Sequence, residues 1–189
     1  MKKTLIIKSA PNSTSFTHQI ANSYAKWLEN KWEKFEIIDL YDEKFSQKFL
    51  KFENTNNRWE DSVRSLIQQK MTQADEYVFI FPVWWWWVPA ILKNFFDSNL
   101  TYWFAYKFSK KWQEKLLSNK TAKVFCTSWA PWFIYKCPLF MWISLKCFFK
   151  KAIFGFCGIK LKWFEIYWKM REISEEKREK ILSKIEKNI

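Results

Sequence analysis

Short apolar runs alternate with amphipathic stretches along the chain, and the apolar runs predict five β-strands. Each run is rich in β-branched or aromatic residues, and Pro82 ends the third one. Runs of this kind are typical of strands that are buried on both faces of a sheet. The five predicted strands span residues 4–10, 35–40, 76–81, 121–128 and 161–168.

In most of the intervals between these runs, apolar residues recur at helical spacing, which predicts helices. The last predicted helix has Ser174 as its N-cap and two glutamates in its first turn, where the helix dipole favours acidic side chains. The predicted helices run from the loop after the first strand to about Asn30, from about Arg58 to Met71, after Pro89, and from Ser174 onward.

Strands that alternate with helices predict an α/β fold, a three-layer sandwich in which a parallel sheet is covered on both faces. The predicted strand order is 2-1-3-4-5, and residues 1–189 are expected to form a single domain. Such sheets bind ligands beyond the carboxyl ends of their strands, where the strand order reverses. The loops at residues 9–16, 82–88 and 128–135 therefore form the candidate site.

The formal net charge of +13 raises nucleic acid or an anionic membrane as partners. The basic residues are mostly lysines scattered through almost every segment, which favours a solvated positive surface instead. The longest uncharged stretch near the tryptophans, residues 77–92, contains two prolines and is shorter than the roughly 18 residues that a membrane span needs. We therefore predict neither nucleic-acid binding nor an integral membrane segment.

The cysteines and the sole histidine argue against a metal site. Cys126, Cys137, Cys147 and Cys157 form no C-x-x-C pair, and His18 is the only histidine. Reduced, partly buried thiols are typical of cytoplasmic proteins, and no signal peptide is visible before the first strand pattern. We expect a soluble, cytoplasmic protein without a metal ion.

Glycine is scarce in this chain and tryptophan is abundant, with 2 and 14 residues respectively. At the usual share of about 7%, a chain of this length would hold roughly 13 glycines. An α/β domain needs residues that accept positive φ at its turns, and glycine is the default because it has no Cβ. The four consecutive tryptophans at 84–87 lie where the third strand gives way to a helix.

Several segments resemble the flavin-dependent NAD(P)H:quinone reductase family of flavodoxin-like proteins. The pattern P-x-W-W-x-x-x-P-A-x-L-K-x-x-F-D at residues 82–97 is the most specific, and PNSTSFTH, FAYKF and TSWAPWFIY add to it. The likeness covers roughly residues 3–170. It implies a flavodoxin-like fold and a homodimer.

Tryptophan stands at several positions where that family has glycine or another small residue, although Trp84 and Trp85 match tryptophans of the family motif. Some bacterial lineages read the UGA codon as glycine and others read it as tryptophan. We therefore hypothesise that most of these tryptophans are glycines in the living protein, whereas UGG codons would contradict the idea. The exchanged positions are Trp27, Trp32, Trp86, Trp87, Trp103 and Trp129.

The resemblance implies a flavin site at the three loops, with FMN as the expected cofactor because the chain is short and FAD as the alternative. Tyr135 is the implied catalytic residue, at the pyrimidine edge, where fixed donors stabilise negative charge on a reduced flavin. His18 lies inside the helix, as a structural residue or a contact near the phosphate. The implied cofactor-binding residues are Ser9, Ser15, Phe16 and Thr17 at the phosphate, Pro82, Val83, Trp84, Trp85 and Trp86 along the ring, with Trp85 packed on the ring or the pocket wall, and Ser128, Trp129 and Ala130 at the pyrimidine edge.

The implied activity is hydride transfer from NAD(P)H, through the flavin, to a quinone or a similar small-molecule acceptor. Two alternatives remain open: a flavodoxin-type electron carrier, which the positive charge disfavours, and a flavin-binding regulatory subunit of a membrane transporter. The aromatic, basic segment 132–154 suits either a docking face or the expected dimer interface. The sequence leaves open the choice between NADH and NADPH and the identity of the acceptor.

Overall fold

The computed structural model of the chain describes residues 2–51, 61–109, 112–131 and 145–188. Three features of the sequence prediction lie outside these residues: the start of the second helix near Arg58, the candidate catalytic Tyr135, and most of the segment 132–154.

A parallel sheet of five strands forms the middle layer, in the order β2-β1-β3-β6-β7. This confirms the predicted α/β, flavodoxin-like architecture and the order 2-1-3-4-5. A short antiparallel hairpin, β4 with β5, was not predicted. The strands are β1 (Lys3–Lys8), β2 (Lys34–Asp39), β3 (Glu76–Pro82), β4 (Tyr106–Phe108), β5 (Gln113–Lys115), β6 (Thr121–Thr127) and β7 (Lys160–Tyr167).

Helices cover both faces of this sheet. On one face α1 packs with α6, and the other face carries α2, α3 and the helical stretch from 145 to 157. That stretch contains a π-helical turn at Phe149–Ile153 and was not predicted. The helices are α1 (Phe16–Asn30), α2 (Ser62–Gln73), α3 (Ala90–Asn99), α4 (Leu145–Phe148), α5 (Phe154–Cys157) and α6 (Glu175–Asn188).

Alternation along β3 shows why the apolar runs become central strands. Phe79 and Phe81 enter the core beneath α2 and α3, whereas Val78 and Ile80 enter the core beneath α1 and α6. Successive side chains of a strand point to opposite faces, so a strand between two helical layers needs apolar residues at every position. Tyr77 is also fully buried, and its hydroxyl donates a hydrogen bond to the carbonyl of Met71 over 2.9 Å.

Polar side chains fix the ends of the helices. Asp61 caps α2 by accepting hydrogen bonds from the amides of Val63 and Arg64, and the helix runs from Ser62. The predicted N-cap of α6 is confirmed, because the Ser174 hydroxyl accepts from the amide of Lys177 over 3.4 Å. Among the described residues, no helix combines the length and apolar character needed to cross a membrane.

Lys120 closes the other end of α2 and gives a test of the fold. This buried lysine donates from Nζ to the carbonyls of Thr72 and Ala74, at 2.8 and 2.7 Å. The change Lys120→Met leaves both carbonyls without their charged donor and should lower the free energy of unfolding by about 1.5–3 kcal/mol.

Chemical denaturation monitored by circular dichroism measures this loss. The change Lys162→Met, at an exposed lysine on β7, is the matched control and should alter the free energy of unfolding by less than about 0.5 kcal/mol. Equal effects of the two changes would contradict the capping role of Lys120.

Candidate functional site

The three candidate loops meet at one edge of the sheet. They follow β1, β3 and β6, which are neighbours and run in the same direction, so their carboxyl ends share that edge. Direct hydrogen bonds connect them: the Ser9 amide donates to the carbonyl of Ile80 over 3.0 Å, and the Val83 amide donates to the carbonyl of Thr127 over 2.8 Å. The expected convergence of the loops is therefore present in the described residues.

The loop between β1 and α1 is organised by its own polar side chains. The side-chain carbonyl of Asn12 accepts from the amide and the hydroxyl of Thr14, at 2.9 and 2.8 Å. Ser15 then caps α1, because its hydroxyl accepts from the amide of His18 over 3.3 Å. The first amides of any helix have no acceptor within the helix, so this loop presents donors suited to an anion.

Two of the predicted phosphate contacts are buried beneath this loop. Thr17 is 4% exposed, and its hydroxyl forms a 2.7 Å hydrogen bond with the hydroxyl of Thr127 at the end of β6. Ser9 is fully buried, and its hydroxyl has no hydrogen-bond partner among the described residues. A buried hydroxyl without a partner costs free energy, so Ser9 is a polar group at this edge whose hydrogen-bonding capacity the described residues do not satisfy. Phe16 lies at the first position of α1, with its ring edge against Tyr167.

The tryptophan run after β3 forms a tight turn. Trp84 and Trp87 exchange two backbone hydrogen bonds of 2.9 and 2.8 Å around two central residues. Both central residues have positive φ, 47° at Trp85 and 64° at Trp86, as in a type I′ turn. Trp85 is 94% exposed, so within the described residues it packs on no pocket wall, and its expected packing on the ring stays a prediction.

The loop after β6 is held from two sides. The Ser128 hydroxyl accepts from the amide of Ala130 over 3.2 Å, and both residues are buried while Trp129 between them is 62% exposed. The Met170 amide donates to the carbonyl of Ser128 over 3.0 Å, and the Lys169 amide to the carbonyl of Ala130 over 3.4 Å. The segment after β7 therefore borders the site, which the sequence interpretation missed.

A charged cluster at the carboxyl ends of β1 and β2 was also missed. Lys8 forms an ion pair with Asp39 at 3.0 Å and donates from Nζ to Nε2 of His18 over 3.0 Å. Burial, then the positive charge of Lys8, lower the pKa of His18 below its usual range, while Asp39 opposes the shift. His18 is thus a neutral partner of Lys8. The available sequence signal was the position of Lys8, a charged residue directly after a run of buried apolar residues.

Tyr135 lies outside the described residues, and its catalytic role stays a prediction.

The described residues contain no group of three or more His, Cys, Asp or Glu side chains placed to hold a metal ion. Cys126 and Cys157 are buried thiols, and burial raises the pKa of each.

Comparison with known proteins gives a consistent family. A family model described as having a flavodoxin-like fold matches residues 2–189. A protein of Haemophilus influenzae named an uncharacterized NAD(P)H oxidoreductase is 31% identical over 182 residues, which cover 94% of this chain and 89% of that protein.

Two further relatives agree with this match. A protein of Caldicellulosiruptor saccharolyticus named FMN-dependent NADH:quinone oxidoreductase is 30% identical and is covered to 83%, against 85% of this chain. The crystal structure of a Streptococcus mutans protein superposes with a TM-score of 0.80 at 30% identity, covering 97% of this chain and 96% of that one.

The environment of His18 gives a test of the charged cluster. The change Lys8→Met removes the positive charge beside the imidazole and should raise the pKa of His18. Because His18 is the only histidine, one imidazole resonance followed by NMR through a pH titration reports it directly. The change Lys26→Met, at an exposed lysine on α1, is the control and should leave this pKa in place.

The same lowered pKa predicts the direction of the pH dependence of stability. The unfolded imidazole binds a proton at about pH 6.5, more readily than the folded one, so protonation favours the unfolded state. The contribution of His18 to the free energy of unfolding should therefore fall as the pH drops below about 6.5. A pKa of His18 that stays unchanged or falls in Lys8→Met would contradict the contact.

Proposed function

The chain belongs to the flavodoxin-like fold family of NAD(P)H:quinone oxidoreductases, and on this premise we propose that it transfers hydride from NAD(P)H, through bound FMN, to a quinone or a similar acceptor. The observation that carries the proposal is the edge of the sheet where the three loops meet, at which the buried hydroxyl of Ser9 has no hydrogen-bond partner among the described residues. A relative named for FMN and NADH supports the choice of cofactor and donor.

The loop between β1 and α1 would hold the phosphate end of FMN. The helix-start amides at Phe16 and Thr17, with the hydroxyls of Ser9 and Ser15, supply donors there without requiring a lysine. The positive charge of the whole chain, +13, adds a favourable long-range field for a phosphate and for a nicotinamide nucleotide. Thr17 acts mainly through its hydrogen bond to Thr127, which holds α1 against the end of β6.

The other two loops would hold the ring system. The backbone from Pro82 to Trp86 runs along one side, and its turn keeps Trp84 and Trp85 at the rim. Ser128 and Ala130 fix the backbone on the other side, where Trp129 projects outward. Backbone groups of both loops would therefore line the proposed site, and the sheet beneath them would preorganise these groups.

The flavin supplies the hydride chemistry when bound, and the protein supplies position and electrostatics. The backbone amide of Trp129, which Ser128 and Ala130 hold in place, would stabilise negative charge at the pyrimidine edge, and Tyr135 is proposed to assist there. The rim formed by the exposed tryptophans is the place for the nicotinamide and the acceptor to approach. The homodimer implied by the resemblance remains a prediction, because residues 132–144 of its expected interface lie outside the described ranges.

The visible absorption spectrum of the protein with bound FMN, recorded before and after addition of NADH or NADPH, tests the proposed reductase activity. The purified protein should bind FMN and lose its visible flavin absorption within seconds of anaerobic mixing with NADH or NADPH, and a quinone should restore it. A one-electron carrier or a regulatory subunit would bind the flavin without rapid bleaching. Bound flavin that free nicotinamide nucleotides fail to reduce would therefore contradict the proposed activity.

Replacing Ser9 gives a second prediction, in which the stability of the cofactor-free protein does not fall while the affinity for FMN does. In the protein without cofactor, Ser9→Ala removes an unsatisfied buried hydroxyl and should leave the free energy of unfolding unchanged or raise it by about 1 kcal/mol. The same change should weaken FMN binding about tenfold, the loss expected for one hydrogen bond to a charged group.

Thr4 provides the matched control for Ser9. Its hydroxyl is also buried without a described partner, but Thr4 lies in the amino-terminal half of β1, far from the carboxyl edge. Thr4→Val should therefore stabilise the protein in the same way and leave FMN affinity unchanged, as measured by fluorescence titration. Equal FMN affinity in Ser9→Ala and the parent would exclude Ser9 from the site.

A further inference from the structure

Tryptophan occupies nearly all of the left-handed backbone positions that hold a residue other than glycine. Among the described residues, four of the five such positions are tryptophan, although tryptophan accounts for only 14 of 189 residues. Left-handed φ brings Cβ close to the following carbonyl oxygen and is energetically unfavourable in a residue other than glycine. The positions are Trp32 (φ 56°), Trp85 (47°), Trp86 (64°), Trp103 (71°) and Lys169 (55°).

Trp32 ends α1 in a motif that usually ends on glycine. The amide of Glu33 donates to the carbonyl of Leu28 over 3.0 Å, and the amide of Trp32 donates to the carbonyl of Glu29 over 3.0 Å. These two hydrogen bonds define a Schellman motif with Trp32 at its left-handed position, where glycine is the preferred residue. Trp32 is 85% exposed, so the burial of its indole offsets little of the backbone cost.

Trp86 occupies the second central position of the type I′ turn. That turn needs positive φ at both central residues, and its preferred sequences place glycine second and asparagine, aspartate or glycine first. A larger residue is thus better accommodated at Trp85, which matches a tryptophan of the family motif, than at Trp86, which does not. The turn geometry and the family motif therefore select the same member of the pair.

Trp103 begins the tight turn that leads into β4. Its amide donates to the carbonyl of Tyr106 over 2.8 Å, and its φ of 71° is the largest of the five. The side chain is 64% exposed and touches Tyr102 edge to face, with ring centroids 5.0 Å apart. This turn therefore also has the backbone of a glycine and little burial to compensate for an indole.

We propose that positions 32, 86 and 103 hold glycine in the functional protein, because their codons are UGA and its cells read UGA as glycine. Each position combines left-handed backbone with a family position of small residues, which are independent signals. The inference at 32 and 103 does not depend on the flavin site. At position 86 it also bears on the proposed function, since glycine there removes an indole from the loop expected beside the ring.

The backbone conformation gives no support for glycine at the other exchanged positions. Trp27 lies within α1 and is buried against Tyr24, and neither Trp87 nor Trp129 has positive φ. Trp87 packs edge to face on Phe148, with ring centroids 4.2 Å apart. These three positions have conformations that any residue can adopt, so glycine at them stays a sequence-based hypothesis.

Peptide mass mapping of the protein purified from the cells that encode it is the direct test. Peptides that contain positions 32, 86 and 103 should have the masses of glycine-containing peptides, and the gene should carry UGA at these codons. A tryptophan mass or a UGG codon at any of the three overturns the proposal there. This measurement involves no flavin, so its outcome is independent of whether the proposed reductase activity holds.

Melting temperatures test the premise that the backbone at positions 32, 86 and 103 favours glycine. The parent for these variants is protein produced with tryptophan at all of its tryptophan positions. Trp32→Gly should melt about 2 °C or more above Trp32→Ala, because both changes remove the indole but only glycine removes Cβ. Trp86 and Trp103 should give the same order of glycine and alanine. Lys31, the neighbouring helix cap with φ of −94°, is the matched control and should give the reverse order.

Alanine variants as stable as the glycine variants at 32, 86 and 103 would overturn the backbone argument. Lys169 offers a positive control, since it has left-handed φ without being tryptophan, and Lys169→Gly should also melt above Lys169→Ala.

Discussion

The fold and its candidate site depend on burial of the central strands on both faces of the sheet. Phe79 packs against Phe95 and Phe154 on one face, while on the other face Phe125 packs against Tyr24. Each fully buried side chain of this size contributes about 1.5–3 kcal/mol, and β3 alone buries six of its seven residues. Strands held between two cores cannot shift by one residue without exchanging the cores, so the positions of the loops at their carboxyl ends are fixed.

Hydrogen bonds between the loops then convert three separate chain segments into one surface. The bonds from Ser9 to Ile80 and from Val83 to Thr127 continue the pattern of the sheet beyond its last regular pairs. The segment after β7 adds a fourth side through Met170. A site built mainly from backbone groups tolerates variation in side chains, provided that each residue accepts the backbone conformation at its position.

A second charged cluster lies at the opposite, amino edge of the sheet, around Glu76. Glu76 begins β3 and is 2% exposed, with Lys2 at 2.9 Å and Lys123 at 3.4 Å. Burial lowers the pKa of Lys123 and the charge of Glu76 opposes this, so the pair balances desolvation against attraction. This buried ionic network therefore lies at the amino edge, whereas the carboxyl edge combines the Lys8–Asp39 ion pair with the hydroxyl and amide groups of the three loops.

The sequence by itself determined the architecture, because the five apolar runs have the length and composition of strands that are buried on both faces. These runs also alternate with helical stretches, which is the pattern of an α/β fold. It also located the three loops, since Pro82 ends the third strand and Pro89 precedes the next helix, whereas the tight turn at 84–87 was found only in the structure. Only the tertiary structure revealed that Lys8 meets Asp39 and His18, that Met170 borders the loop after β6, and that the buried Ser9 hydroxyl has no partner in the part of the chain that the structure describes. Those facts depend on contacts between residues distant along the chain and on the local value of φ, which no periodicity of apolar residues encodes.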